Sequence, residues 1–347
     1  MNVNCDFKNN PWLHRFAVLT AVATFLLLGA GGLVTSHEAG MSVPDWPNSY
    51  GYNMFAFPVS KWTGGIFYEH THRLWASAVG LMTTILAVWI WLRDSRQWMK
   101  WLGVAAFLLV VVQGILGGLR VVLIDADLGM VHGVVGQTFF VLMCAIALFT
   151  GGVWQKISGQ KLNVPSGLRK LVMATTILIF FQLILGATMR GQHAGLAIPD
   201  FPTAYGQLWP DTSSAALARD NAGSGNPNII TAFQIILQMV HRLIALVIFI
   251  CIVTCAVKAW RQLGARDPLA KFSVFWLVLI VLQIGLGIAT IKTNKAADVA
   301  TAHVLVGALS LVTGALWYII AFARSAKIPE VETAPFGVFG TLAANKR

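Results

Sequence analysis

Apolar residues fall into eight blocks of about 20, at residues 16–35, 72–92, 101–122, 131–153, 171–190, 235–257, 272–291 and 301–322. A bilayer core takes roughly 20 residues of helix. Backbone inside hydrocarbon must satisfy its own hydrogen bonds, which a helix does and an irregular segment does not. The pattern therefore predicts an all-α integral membrane protein with eight transmembrane helices. The first block is long enough to span and is followed by no small-residue cleavage signal, so it is expected to be retained.

Composition agrees: 56% of the 347 residues are hydrophobic and 11% are charged, against about 25% charged in an ordinary soluble domain. The net charge of +11 would suit a nucleic-acid binder, but its distribution argues otherwise. With the N-terminus inside, 17 of the 25 Lys and Arg residues fall on the inner side, although two outer loops are the longest in the chain. The positive-inside rule then puts both termini in the cytoplasm of a cell (inner) membrane protein. Of the four cysteines, Cys5 is placed inside and Cys144, Cys251 and Cys255 within spans. None lies in an outer loop, so no structural disulfide is expected.

The sequence repeats itself. Gly40-Met41-Ser42-Val43-Pro44-Asp45-Trp46-Pro47 after the first block returns as Gly195-Leu196-Ala197-Ile198-Pro199-Asp200-Phe201-Pro202 after the fifth. His72-Arg73-Leu74 returns as His241-Arg242-Leu243, Gln113 as Gln283, and His132 as His303, at offsets of 169, 170 and 171. A unit of four helices is even, so the halves are expected to be parallel repeats, two four-helix bundles over residues 1–158 and 159–347. The stretch 155–168 is the predicted inner link. The stretch 211–228, rich in Ala, Ser, Asn, Asp and Gly, is predicted as a mobile outer loop.

Four of the eight histidines share one depth. His72, His132, His241 and His303 each open a block that runs from outside inward. Within each half the pair is separated by an inward helix, a turn and an outward helix, so the two imidazoles sit on helices able to face each other. Ionisable groups inside spans are usually functional, and opposed imidazoles across a bundle suit the two axial positions of haem iron. A zinc site fits less well, because no carboxylate or thiolate accompanies the second pair. Gly133, Gly136 and Gly307 would admit a flat ring, and Arg73 and Arg242 are placed to contact propionates. The halves differ where Glu69, three residues before His72, is replaced by Gln238. A carboxylate can take a proton and an amide cannot, which suggests a reactive first site, unless Glu69 only pairs with Arg73. Gln113, Gln182 and Gln283 share a Gln-x-x-Leu-Gly pattern suited to helix–helix hydrogen bonding. The outer loop from His37 to Tyr68, with Trp46, Tyr50, Tyr52, Phe55, Phe57 and Trp62, reads as a mixture of interfacial belt and lid.

Glu69-His70-Thr71-His72-Arg73, with His132, His241-Arg242, His303 and the 40–47 loop, resembles the haem A synthase family over about residues 12–323. The resemblance implies oxidation of a ring methyl of haem O to the formyl group of haem A, by successive hydroxylation and loss of water. It further implies a haem b cofactor held by His241 and His303, with Arg242 beside it. His72 and His132 would ligate the substrate haem iron, Glu69 would act in catalysis, and Arg73 would be a propionate contact. An electron-transfer partner and haem O synthase are the implied partners, with lipid around the chain. Some relatives carry two cysteines in the first outer loop, where this chain has Ser42 and Asn48, so a thiol step there is unavailable. The competing reading of four histidines is a di-haem membrane cytochrome passing electrons to or from quinol. A transporter with parallel repeats fits less well, since its polar site would lie near the midplane.

Overall fold

The computed structural model describes residues 10–158, 164–223 and 229–325. They form α1 (Pro11–Ser36), α2 (Gly64–Arg93), α3 (Gln97–Val122), α4 (Ala126–Thr150), the short α5 (Gly152–Ser158), α6 (Ser166–Gly191), the short α7 (Ser214–Gly223), α8 (Ala232–Leu263), α9 (Pro268–Lys292) and α10 (Ala297–Ser325). Eight of these are long and apolar enough to cross a membrane. Among the described residues there is no strand, only two isolated bridges. The chain is an all-α, multi-pass membrane protein.

The helices begin earlier than the apolar blocks because their first turns are polar and capped. Asn10 Oδ1 accepts from the amides of Trp12 and Leu13, with Pro11 at the first helical position. Asp125 caps α4 and Asp267 caps α9. Thr231 and Gln234 form a reciprocal capping box at the start of α8. Each cap satisfies amides that a helix start leaves orphaned. In consequence His72, His132, His241 and His303 do not open their helices. They sit six to nine residues in, roughly 9–14 Å along the axis at the usual rise. At the other end, α4 stops at Thr150 rather than 153. The chain turns at Gly151, where a Cβ would lie 2.9 Å from Cε1 of His14.

In the N-terminal half α1 packs on α2 and α4, and α3 on the same two. In the C-terminal half α6 packs on α8 and α10, and α9 on the same two. Contacts of α1 with α10, and of α4 with α6 and α10, join the halves. Each ring encloses an apolar core, around Leu86, Met99, Met143 and Ile146 in the first and around Ile248, Ile252, Trp276 and Trp317 in the second. The buried indoles do not leave their N–H groups idle. Trp276 donates to Ser310 Oγ at 2.9 Å, and Trp317 donates to Ser273 Oγ at 2.9 Å and the Leu269 carbonyl at 3.0 Å. Outward faces carry exposed Leu19, Val22, Leu26, Leu108 and Val278, as a lipid-facing surface requires.

Two expectations need correction or completion. Residues 214–223, predicted as loop, form α7; Ala215, Ala216, Leu217 and Ala218 are strong helix formers. Asn221 pins the segment to Ile230, accepting from its amide at 2.7 Å and donating to its carbonyl at 3.0 Å. Residues 224–228, residues 159–163 of the predicted link, and Cys5 lie outside the described residues. Cys144, Cys251 and Cys255 are free thiols.

Close approach of α10 to α6 and α9 depends on Gly314. A Cβ there would collide with Thr176 Oγ1 and come within 2.7 Å of the Trp276 ring. Gly314→Ala should destabilise the chain by about 1–3 kcal/mol, read as a lower midpoint of thermal unfolding in detergent. Gly285→Ala, which has open space around it, is the control that should not lower the midpoint, since alanine favours a helix over glycine.

Candidate functional site

The histidines share one setting. Each packs against a glycine of the preceding long helix, α1, α3, α6 or α9. A Cβ built on Gly31, Gly117, Gly186 or Gly287 would lie 3.0, 3.2, 3.5 or 3.2 Å from Cε1 of His72, His132, His241 or His303 respectively. The absent side chain is what lets the Cε1 side of an imidazole come this close to the neighbouring helix. Three of these glycines end the Gln-x-x-Leu-Gly pattern, and the glutamines hold the same region. Gln113 and Gln182 donate to the carbonyls of His132 and His241 at 3.3 and 2.8 Å. Gln283 lies against the ring of His303, its carbonyl 3.1 Å from Nδ1 and its Nε2 3.3 Å from Nε2. The α1 counterpart of these glutamines is Leu27, so the His72 helix lacks that tie.

All four imidazoles are half-buried. The two in each half lie within electrostatic reach of each other. Nδ1 of His72, His132 and His241 is buried with no hydrogen-bond partner. A buried polar atom left unpaired costs about 1–3 kcal/mol, so three in equivalent places call for a common reason. Among the described residues no group of three or more His, Cys, Asp or Glu side chains converges as a metal site. One pair of neighbouring imidazoles in each half is the arrangement present.

Above each pair lies a loop built on one plan. Both contain a cis X-Pro bond, at Trp46-Pro47 and Phe201-Pro202. Asp45 accepts from the amides of Tyr50 (2.7 Å) and Gly51 (2.8 Å), and Asp200 from those of Tyr205 (2.7 Å) and Gly206 (2.9 Å). Burial raises both carboxyls, but these amide bonds outweigh it and hold each below the ordinary 3.8. The tyrosine hydroxyls donate to the carbonyls of Ser42 and Ala197. Gly51 and Gly206 take φ +76, a left-handed conformation that favours glycine. The shared motif thus runs four residues beyond the 40–47 and 195–202 match, to Tyr50-Gly51 and Tyr205-Gly206. Extending the comparison would have found it.

Glu69 and Gln238 fasten these loops to α2 and α8. Glu69 Oε2 accepts from the Val43 amide at 2.9 Å, and Gln238 Oε1 from the Ile198 amide at 2.7 Å. Glu69 Oε1 also pairs with Arg73 at 2.7 Å. Arg73 donates further to the carbonyls of Val43, Asp45 and Asn48, and Arg242 to those of Ile198, Asp200 and Thr203. These guanidinium groups, expected at propionates, are engaged with the loops. His70, absent from the expected site, is fully buried in the first half only. Its Nδ1 is 3.1 Å from Ser49 Oγ, and Phe57 and Trp62 pack on its ring at 4.9 and 4.8 Å. Phe57 and Trp62 therefore pin the loop, while Phe55 points outward, 72% exposed.

These features define a polytopic helical membrane protein with two pairs of histidines seated on glycines beneath matching loops. Within that class, the chain matches the family model of the cytochrome oxidase assembly proteins (COX15-CtaA) over residues 14–315, and it belongs to that family. It is 27% identical to a haem A synthase of Geobacillus kaustophilus, over 93% of this chain and 95% of that one. It is 26% identical to that of Lysinibacillus sphaericus (90% and 95%) and 24% identical to that of Halalkalibacterium halodurans (89% and 97%).

The loop geometry carries its own test. Asp45→Ala should abolish the hydrogen-exchange protection of the Tyr50 and Gly51 amides. A carboxylate held below its ordinary range stabilises at neutral pH and loses its effect as pH falls through the depressed value. The native loop should therefore keep that protection down to about pH 3.8 and lose it only below. Protection that survives the substitution would remove Asp45 from the loop's support.

Proposed function

We propose that this protein oxidises the ring methyl of haem O to the formyl group of haem A, by successive hydroxylation and loss of water, with haem b as resident cofactor. The observation that carries the reading is the set of four glycine-seated histidines, brought near each other in pairs within each half. The names of the relatives support it.

On this reading the C-terminal half, residues 159–347, holds haem b between His241 and His303, and the N-terminal half, residues 1–158, takes the substrate haem between His72 and His132. Nδ1 of His303 lies at the Gln283 carbonyl, a contact that would fix the tautomer with the lone pair on Nε2. The Gln283 side-chain amide lies 3.3 Å from that Nε2 and would turn aside for iron to take the lone pair. Haem b, when bound, supplies one-electron redox chemistry. The protein's own residues seat the ligands, clamp the loops and manage protons. Gln238 clamps its loop as a neutral amide, so the negative charge of Glu69 exceeds what the clamp needs. We assign that charge to accepting a proton during methyl oxidation, with Arg73 steadying it. Arg242 supports the haem b side through its loop. Electrons leave through an external partner, and haem O synthase delivers the substrate. The histidine end faces outward and the termini inward, as the Lys and Arg distribution supports.

Purified protein, extracted and analysed by mass, should yield haem A or its hydroxylated intermediate beside haem b. Glu69→Gln should keep haem b and lose product at least tenfold, whereas His241→Ala should lose haem b. Haem b alone in the native protein would favour the electron-carrier reading. Undiminished product from Glu69→Gln would take Glu69 out of the chemistry.

A further inference from the structure

With Arg73 and Arg242 committed to loop carbonyls, the first half still contains one cation with little to hold. Arg120 lies in the last turn of α3, three residues beyond Gly117, so it shares a helix face with the glycine that seats His132. It sits about one turn, roughly 4.5 Å, nearer the loop end. On α2, Glu69 stands in the same relation to His72. Arg120 is within electrostatic reach of His72, His132, Glu69 and Arg73.

Its Nη2 donates to the Gly40 carbonyl at 3.0 Å, while its Nε is buried with no partner. Among the described residues no carboxylate forms an ion pair with it. Glu69, the carboxylate in reach, spends one oxygen on Val43 and the other on Arg73. An incompletely paired guanidinium inside a span is costly. The surroundings are shaped to keep it there, because any Cβ at Gly40 would collide with Nη2. The other half has no equivalent. The position matching Arg120 is Thr290, whose hydroxyl donates to its own helix at the Leu286 carbonyl, and a Cβ at Gly195 would meet nothing within 4 Å.

We propose that Arg120 is a substrate-binding residue that takes a propionate carboxylate of the haem held in the first half. It would fix the rotation of the macrocycle, and hence which ring methyl is presented for oxidation. A guanidinium forms directional, charge-assisted bonds to a carboxylate. Its place one turn toward the loops from the imidazoles is where the propionate edge of a ring between His72 and His132 would emerge. The inference rests on the first half receiving a haem, as proposed above.

The test uses the purified chain with its resident cofactor, titrated with iron protoporphyrin IX and with the dimethyl ester of the same compound, and followed by visible absorption. The native protein should bind the free acid about ten- to hundredfold more tightly than the ester, the span of one or more charge-assisted bonds. Arg120→Gln should bring the two affinities together by weakening only the acid, and Arg120→Lys should restore part of the gap. Should Arg120→Gln fail to fold, the native acid-to-ester ratio decides alone, and equal affinities overturn the proposal. So does a ratio left intact by Arg120→Gln. His132→Ala separates the two levels. If that variant binds added haem as the native chain does, the first-half site itself is wrong. If it does not bind while Arg120→Gln keeps the native ratio, Arg120 alone is wrong.

Discussion

The seat of an imidazole on a glycine is the contact on which this molecule depends. A histidine within a membrane span needs room and a polar partner, and helices packed at ordinary distance supply neither. Gly31, Gly117, Gly186 and Gly287 supply the room, each opposite one histidine. Because the glycine and the histidine lie on consecutive long helices, the seat also fixes how those helices pack. Three of the seats leave Nδ1 buried and without a hydrogen-bond partner, a cost that the fold carries in equivalent places.

The loops extend the same logic to the rim of the site. Asp45 and Asp200 fold the loops upon themselves, and Glu69 and Gln238 fasten them to the histidine-bearing helices. Arg73 and Arg242 complete the attachment. Most of the charged groups near the rim therefore have a structural task. Two features go beyond it: the charge of Glu69, where Gln238 clamps without one, and the guanidinium of Arg120, whose Nε has no partner. Both belong to the first half, and neither has a charged equivalent in the second. The asymmetry is one of charge on a common frame.

Much of this was legible in the sequence. Apolar blocks of bilayer length gave the eight spans, since lipid leaves the backbone no alternative to a helix. The register of His72, His132, His241 and His303 singled out four residues that the fold sets against four glycines. Helix starts were misjudged because hydropathy ignores caps; Asn10, Asp125 and Thr231 carry the helices into polar sequence. The helix at 214–223 was hidden because Ser, Asn and Asp flank an alanine-rich core that no apolar periodicity marks. The tasks of Arg73, Arg242 and His70 required three dimensions, as their loop hydrogen-bond partners lie 21 to 44 positions away. Arg120 was visible only as one outer charge among eight, until its neighbours showed how few of its donors are used.

The account stands most directly on His241 and His303 gripping one iron between them. Electron paramagnetic resonance of the oxidised, purified protein should show a low-spin signal of the two-imidazole type. That signal should persist in His72→Ala and be lost or converted to high spin in both His241→Ala and His303→Ala. An unaltered low-spin signal in either of the last two variants would contradict it.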